Sequence, residues 1–239
     1  MTKSNQATKQ EWMSDAFWQQ PTFDPTETGE AGDQGIYLAV GLALSCWEEL
    51  EDRLADMFDL FGTEQGGKIT NHSYQMGRHM FGIMESSSTR IRMLQVAASL
   101  YFGHWWSHKP VSDPYTKLFE AVMHASHRRN EIAHGRATQA EVHRGEGLSK
   151  RSGFFLTSPR YAIKRNEPYY GGKWHPDDVL GGIDRSKYRY RMKDIIVFSE
   201  KFRLLAAKML ELLIEAAHGE HKIPKIVERL LSEGKLRQA

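Results

Sequence analysis

Residues 112–135 read SDPYTKLFEAVMHASHRRNEIAHG, and the spacing inside this stretch sets the fold class. Leu118, Val122, Ala125 and Ile132 recur at three- and four-residue intervals, the mark of an amphipathic helix with one apolar side. Ser112 or Asp113 offers an N-cap and Pro114 suits a first turn, so the spacing predicts a helix from about 112 to roughly Gln139. At ~100° per residue, Asn130 and His134 lie on an adjacent side with Met123 and His127. Arg129 is set roughly 140° from His134 by the same geometry, within the apolar band. A guanidinium in that position must meet an acid or reach an interface or cleft, and Glu48, Glu49, Glu51 and Asp52 are candidate partners.

Working toward the N-terminus, three further helices precede this one. Val40, Leu44, Trp47, Leu50, Leu54, Met57 and Phe61 give a long helix over 36–61, which GTEQGG ends. Its first part, IYLAVGLALSCW, is too short to span a membrane and reads as a buried helix. A shorter helix is expected near 73–84, and Ser86 to Ser88 can cap another running to about His108, where Pro110 stops it. Residues 1–35 form an extended or partly ordered arm whose aromatics, Trp12, Phe17, Trp18 and Phe23, are expected to dock on the body.

On the C-terminal side the helical period disappears between about 144 and 192. FFLTSPRYAI and KYRYRM read as strands around the turn-rich NEPYYGGKWHPDDVLGG. A long helix follows over 193–217, and a short one over 223–236. The expected class is all-α in the main: an up-and-down bundle of four to five long helices spanning 36–218, with a small β-hairpin or irregular insert at 144–192 and a terminal helix in 219–239.

The 239 residues are 40% hydrophobic and 26% charged, enough for one sizeable core. A single cysteine, Cys46, excludes an intrachain disulfide and a cysteine-based zinc site, which fits a reducing, cytoplasmic setting. MTKSNQATKQEWMSD lacks the apolar segment of a secretory signal, so neither export nor a membrane is expected. Net charge is +2 but polarised. Residues 1–62 hold three basic side chains against twelve acids, and residues 150–193 hold eleven against four. Such polarity serves the steering of a polyanion, or self-association, or solubility alone.

Arg129-Asn130-Glu131-Ile132-Ala133-His134 resembles the R-polar-x-x-x-H motif of the HEPN superfamily, the higher eukaryote and prokaryote nucleotide-binding domains. The all-helical frame, with the motif near the end of the fourth helix and a long amphipathic helix after it, is also similar to that family. The resemblance implies a metal-independent endoribonuclease, a homodimer in which both copies of the motif line a cleft. Its partner would be RNA, and no cofactor is implied. Carried onto this chain, His134 would act on the attacking ribose 2′-hydroxyl or on the leaving oxygen, Arg129 would stabilise charge on the scissile phosphate, and Asn130 would orient the pair. A toxin or phage-defence effector, with an antitoxin or other regulatory protein as partner, belongs to the same expectation. Arg136 stands where relatives silenced by nucleotidylation carry a tyrosine, so that form of control does not carry over.

The residue types suit the chemistry, because histidine trades protons near neutral pH and arginine presents a planar fork to phosphate oxygens. His127, with Lys187, Arg189 and Arg191 of the KYRYRM strand, makes the candidate RNA-binding set, since cations interleaved with tyrosines suit phosphates and stacked bases. Lys150, Arg151, Lys164 and Arg165 would join that set if they share its face. The same alternation also describes an ordinary two-faced strand with its tyrosines inward. His124, His127 and His134 lack the carboxylate of an HExxH site, and no metal is expected. Two other readings stay open: a non-catalytic HEPN-like module for dimerisation or for holding RNA or a protein, and a helical domain that carries the hexapeptide by chance.

Overall fold

Apolar spacing of three and four dominates this chain, and the chain is accordingly mostly helical, with a small three-stranded antiparallel sheet. The computed structural model describes residues 11–22, 28–63, 76–144, 148–159, 187–218 and 223–236. Among these are six α-helices: α1 Gln34–Thr63, α2 Met76–Ile83, α3 Ser87–Phe102, α4 Lys109–His134, α5 Met192–Ala216 and α6 Lys225–Ser232. The strands are β1 Arg136–Arg144, β2 Leu148–Thr157 and β3 Arg189–Tyr190, in sheet order β1-β2-β3.

The chain divides into two compact units, and α1, α4 and α5 each contribute residues to both. The first unit comprises residues 1–18, 47–126 and 201–239. An aromatic cluster forms its core, with Phe61, Tyr101, Phe102 and Tyr115 at centroid separations of 5.0–6.0 Å. Fully burying one such ring is worth about 1.5–3 kcal/mol, so this cluster is a main source of the unit's stability. Its two phenols are satisfied inside it: Tyr115 donates to the Leu212 carbonyl (3.1 Å) and Tyr101 to that of Ala216 (2.7 Å). The N-terminal aromatics dock as expected where they are described. Trp12 and Trp18 are buried, and Trp18 stacks on Phe202 at 6.1 Å. Phe23 lies outside the described residues.

The second unit comprises residues 19–46 and 127–200. It carries the sheet, and here the structure corrects the expected boundaries. The fourth helix does not run to Gln139; α4 ends at His134 and the chain turns at Gly135 into β1. RATQAEVHR contains good helix formers, yet it pairs with β2 from Arg136↔Thr157 to Arg144↔Leu148, and that ladder overrides local preference. A β-carbon on Gly135 would lie 2.6 Å from Leu156 Cγ and 3.0 Å from the Glu131 carbonyl oxygen, so only glycine lets the helix end sit this close to β2. The register shifts between Ala140 and Glu141, opposite Gly153, whose φ of +95° favours glycine. Beside it the arm bridges to β2, Glu30 N donating to the Phe154 carbonyl (2.9 Å) and Phe154 N to that of Glu30 (2.8 Å).

Other boundaries move by up to about two turns. Ser86 caps α3 as expected, its Oγ accepting from Thr89 N at 3.1 Å, but the helix stops at Phe102 and GHWWS tightens into a 3-10 turn. Pro110 opens the next helix instead of stopping the previous one, because the missing N–H costs little in a first turn. The KYRYRM strand shrinks to Arg189–Tyr190, since Met192 already begins α5. FFLTSPRYAI contributes to β2 only up to Thr157. NEPYYGGKWHPDDVLGG, Lys164 and Arg165 lie outside the described residues. The apolar start of α1, expected to be buried, buries one side only: Ile36, Ala39 and Ala43 are inside, while Tyr37, Leu38 and Leu42 are exposed.

Because Leu156 is fully buried where a new β-carbon would strike it, Gly135→Ala should destabilise the protein by about 1–3 kcal/mol in urea unfolding. Gly41→Ala, in α1 with nothing within 4 Å of its position, should instead stabilise by about 0.5–1 kcal/mol. Equal effects of the two substitutions would contradict the proposed close approach.

Candidate active site

The last two turns of α4 separate six polar side chains by their angle about the helix. His127, Asn130 and His134 are exposed, while Arg128, Arg129 and Glu131 are half-buried. The two adjacent arginines have different partners. Arg128 Nη1 pairs with Glu131 Oε2 at 2.7 Å, one turn ahead, and also donates to the Tyr190 hydroxyl at 3.2 Å. Arg129 starts from the apolar side and reaches round to Asn130, its Nη1 donating to Oδ1 at 3.2 Å.

Glu131 is the hub of the inner set. Its Oε2 accepts from the Tyr190 hydroxyl as well as from Arg128, and its Oε1 accepts from Gln20 Nε2 at 2.8 Å. Its backbone carbonyl accepts from the Tyr188 hydroxyl at 2.7 Å. Burial pushes the Tyr190 phenol well above its ordinary range, reinforced by the hydrogen bond to Glu131 and that residue's charge and opposed by Arg128. The phenol therefore remains a donor across the working pH range.

Asn130 Oδ1 is occupied as an acceptor, which leaves its amide nitrogen as a donor. With the Arg129 guanidinium and the exposed imidazoles of His127 and His134, the outer face is rich in donors. Such a face suits an acceptor-rich anion, and phosphate oxygens answer that description. His127 and His134 stand seven residues apart, on one side of the helix and ~10 Å apart along its axis. Among the described residues neither imidazole is taken up by a hydrogen bond or ion pair.

The candidate RNA-binding strand is placed differently from the helix face. Tyr188 and Tyr190 are buried and stacked at 5.2 Å, as in a two-faced strand. Lys187 is exposed, and Arg189 lies over the Phe155 ring at 5.3 Å. Arg191 is committed to Asp194, Nε to Oδ2 at 3.2 Å and Nη2 to Oδ1 at 3.3 Å, with 14% of its side chain exposed. That pair closes the first turn of α5, so Arg191 acts there as a structural cation. Lys150 and Arg151 are on β2. Two of the four acids considered as partners for Arg129 are occupied elsewhere: Glu51 pairs with Arg90 (2.8 Å) and Asp52 with Arg78 (3.0 Å).

Sequence reasoning missed Glu131, Arg128, Tyr188, Tyr190 and Gln20 as one network. The Arg128–Glu131 spacing of three was a readable signal, being that of an ion pair on a helix. Among the described residues no group of three or more His, Cys, Asp or Glu is placed to hold a metal ion, and no helix is long and apolar enough to cross a membrane. No family model matches this chain, and neither a curated protein nor a solved structure matches it.

The Tyr190 shift has a definite sign in stability. The folded chain holds this proton more tightly than the unfolded chain, so the contribution is complete below about pH 10 and is lost as pH rises further. Tyr115, whose phenol is raised chiefly by burial, acts in the same direction. Urea unfolding between pH 9 and 11, on the order of the phenol range, should show stability falling by up to ~1.4 kcal/mol per pH unit for each such group. Tyr190→Phe should flatten that fall; a slope equal to the wild type's would contradict the buried-donor assignment.

Proposed function

We propose that this protein is a metal-independent endoribonuclease of HEPN type, working as a homodimer, with the outer face of α4 as its active site. The observation that carries the reading is the Arg129–Asn130 hydrogen bond beside exposed His127 and His134, with Arg128 held back by Glu131. The motif's arginine and polar residue thus act on one face, and that face offers donors where a phosphodiester offers acceptors.

In the reaction, the ribose 2′-oxygen attacks the neighbouring phosphorus, the new P–O bond forms, and the bond to the 5′-oxygen breaks. His134 takes the proton from the 2′-hydroxyl or delivers one to the leaving oxygen. Arg129 meets the charge that builds on the phosphoryl oxygens, and Asn130 holds the guanidinium in place. His127 and Lys187 are left to contact the flanking backbone, since Arg191 is engaged with Asp194. A role as a toxin or phage-defence effector would follow from RNA cleavage that is not confined to one sequence.

The second copy is supported by apolar surface in the motif's own unit: Tyr37, Leu38 and Leu42 of α1 and Val197 of α5 are exposed. Leu38→Asp should therefore shift the protein toward monomer in sedimentation velocity, and an unchanged distribution would count against this face.

His134→Ala and Arg129→Ala should each lower cleavage of a mixed-sequence oligoribonucleotide by about 10²-fold or more while leaving the oligomeric state intact. Asn130→Ala should cost less, because it supports Arg129. Retained cleavage in either of the first two variants removes the assignment. Salt-dependent binding of the oligoribonucleotide without any cleavage by the wild type would make the protein a binding module instead.

A further inference from the structure

Two tyrosines, Tyr188 just before β3 and Tyr190 within it, point to a role other than stacking on bases. Both are buried, and both hydroxyls end on a single residue of α4, Tyr188 on the carbonyl of Glu131 and Tyr190 on its carboxylate. Carbonyls in the last turn of a helix run out of donors along the helix, and Tyr188 supplies one from outside it. The second anchor is stiffened by Arg128 and Gln20, which hold the same carboxylate. The third closes a ring: Tyr190 pairs with Leu156 across β3 and β2, and Leu156 is the side chain against which Gly135 ends the helix.

Glu131 lies between Asn130 and His134, so whatever fixes Glu131 fixes the turn that carries them both. The tyrosine rings are themselves held, stacked on each other at 5.2 Å and, for Tyr190, edge-on to Phe198 of α5 at 5.5 Å. We infer that Tyr188 and Tyr190 are positioning residues for the site, clamping the last turn of α4 so that His134 and Asn130 keep their orientation. This rests on the ribonuclease reading. A side chain that reaches the reacting atoms from a loosened turn misses its geometry, and a misplacement of ~1 Å can cost 10²-fold in rate.

The test compares Tyr188→Phe and Tyr190→Phe with Tyr101→Phe, in the full chain, on a mixed-sequence oligoribonucleotide. Tyr101 makes the same phenol-to-carbonyl bond at the same 2.7 Å but to Ala216, away from the motif's unit. The expected result is a fall of about tenfold in kcat for Tyr188→Phe and Tyr190→Phe with KM within about twofold, and no change in either for Tyr101→Phe. Hydrogen exchange of the peptide 127–135 should speed up in the same two variants only. Normal kcat in Tyr188→Phe and Tyr190→Phe, with an active wild type, overturns the inference and leaves the ribonuclease reading standing. An equal loss in Tyr101→Phe also overturns it, since the effect would then be general loosening. No cleavage by the wild type overturns the reading on which the inference depends.

Discussion

A carboxylate that is half-buried must be met by donors, and the donors that meet Glu131 organise the end of α4. Its side chain takes Arg128 from its own helix, Tyr190 from β3 and Gln20 from the N-terminal arm. Leaving such a group short of partners would cost several times what one hydrogen bond contributes, so the three elements are tied to one point. The choice of Arg128 decides the rest of the helix end. With one guanidinium spent inside, the next residue, turned by ~100°, is the one whose fork reaches Asn130.

The same point explains why a sheet interrupts a helical protein here. A helix continuing through Arg136 would forfeit the β1–β2 ladder that begins there and the close approach of Gly135 to Leu156. Ending at Gly135 lets β1 fold back on β2, and this ladder brings Leu156 beneath the turn and Tyr190 beside it. The arm is drawn in by related means, through the Glu30 bridge to Phe154 and through Glu30 Oε1, which accepts from Met192 N at 3.1 Å at the start of α5. Local preference for helix in RATQAEVHR loses to this set of nonlocal contacts.

How much of this could be read from the sequence depends on the range of the interaction responsible. Leu118, Val122, Ala125 and Ile132 are all buried, as their spacing required, and Ser86 caps the helix it precedes. The inward tyrosines and outward Lys187 of KYRYRM follow from a period of two. The end of α4 was not legible, because Gly135 is needed for its clearance from Leu156, 21 residues on, rather than for a turn type that its neighbours announce. Glu131 was half legible: its pair with Arg128 is local, but Tyr190 is 59 residues away and Gln20 is 111. Arg129 shows the limit of angular reasoning, since a long side chain need not emerge where its Cα points.

Placing the site on a helix rather than a loop has a physical consequence. Helical side chains inherit their orientation from the backbone, and a backbone held at one carbonyl and one carboxylate has little freedom left at the turn between. The donors of the outer face are then set before any ligand arrives: the Asn130 amide by Arg129, and His134 by the turn anchored at Glu131. Preorganised donors stabilise developing charge without a reorganisation cost at the moment of reaction, whereas flexible lysines would bind an anion without favouring its transition state. An inner network of satisfied groups and an outer face rich in donors are therefore two sides of the same helical turn. The tyrosine clamp is what would separate a catalytic face from one that merely attracts RNA.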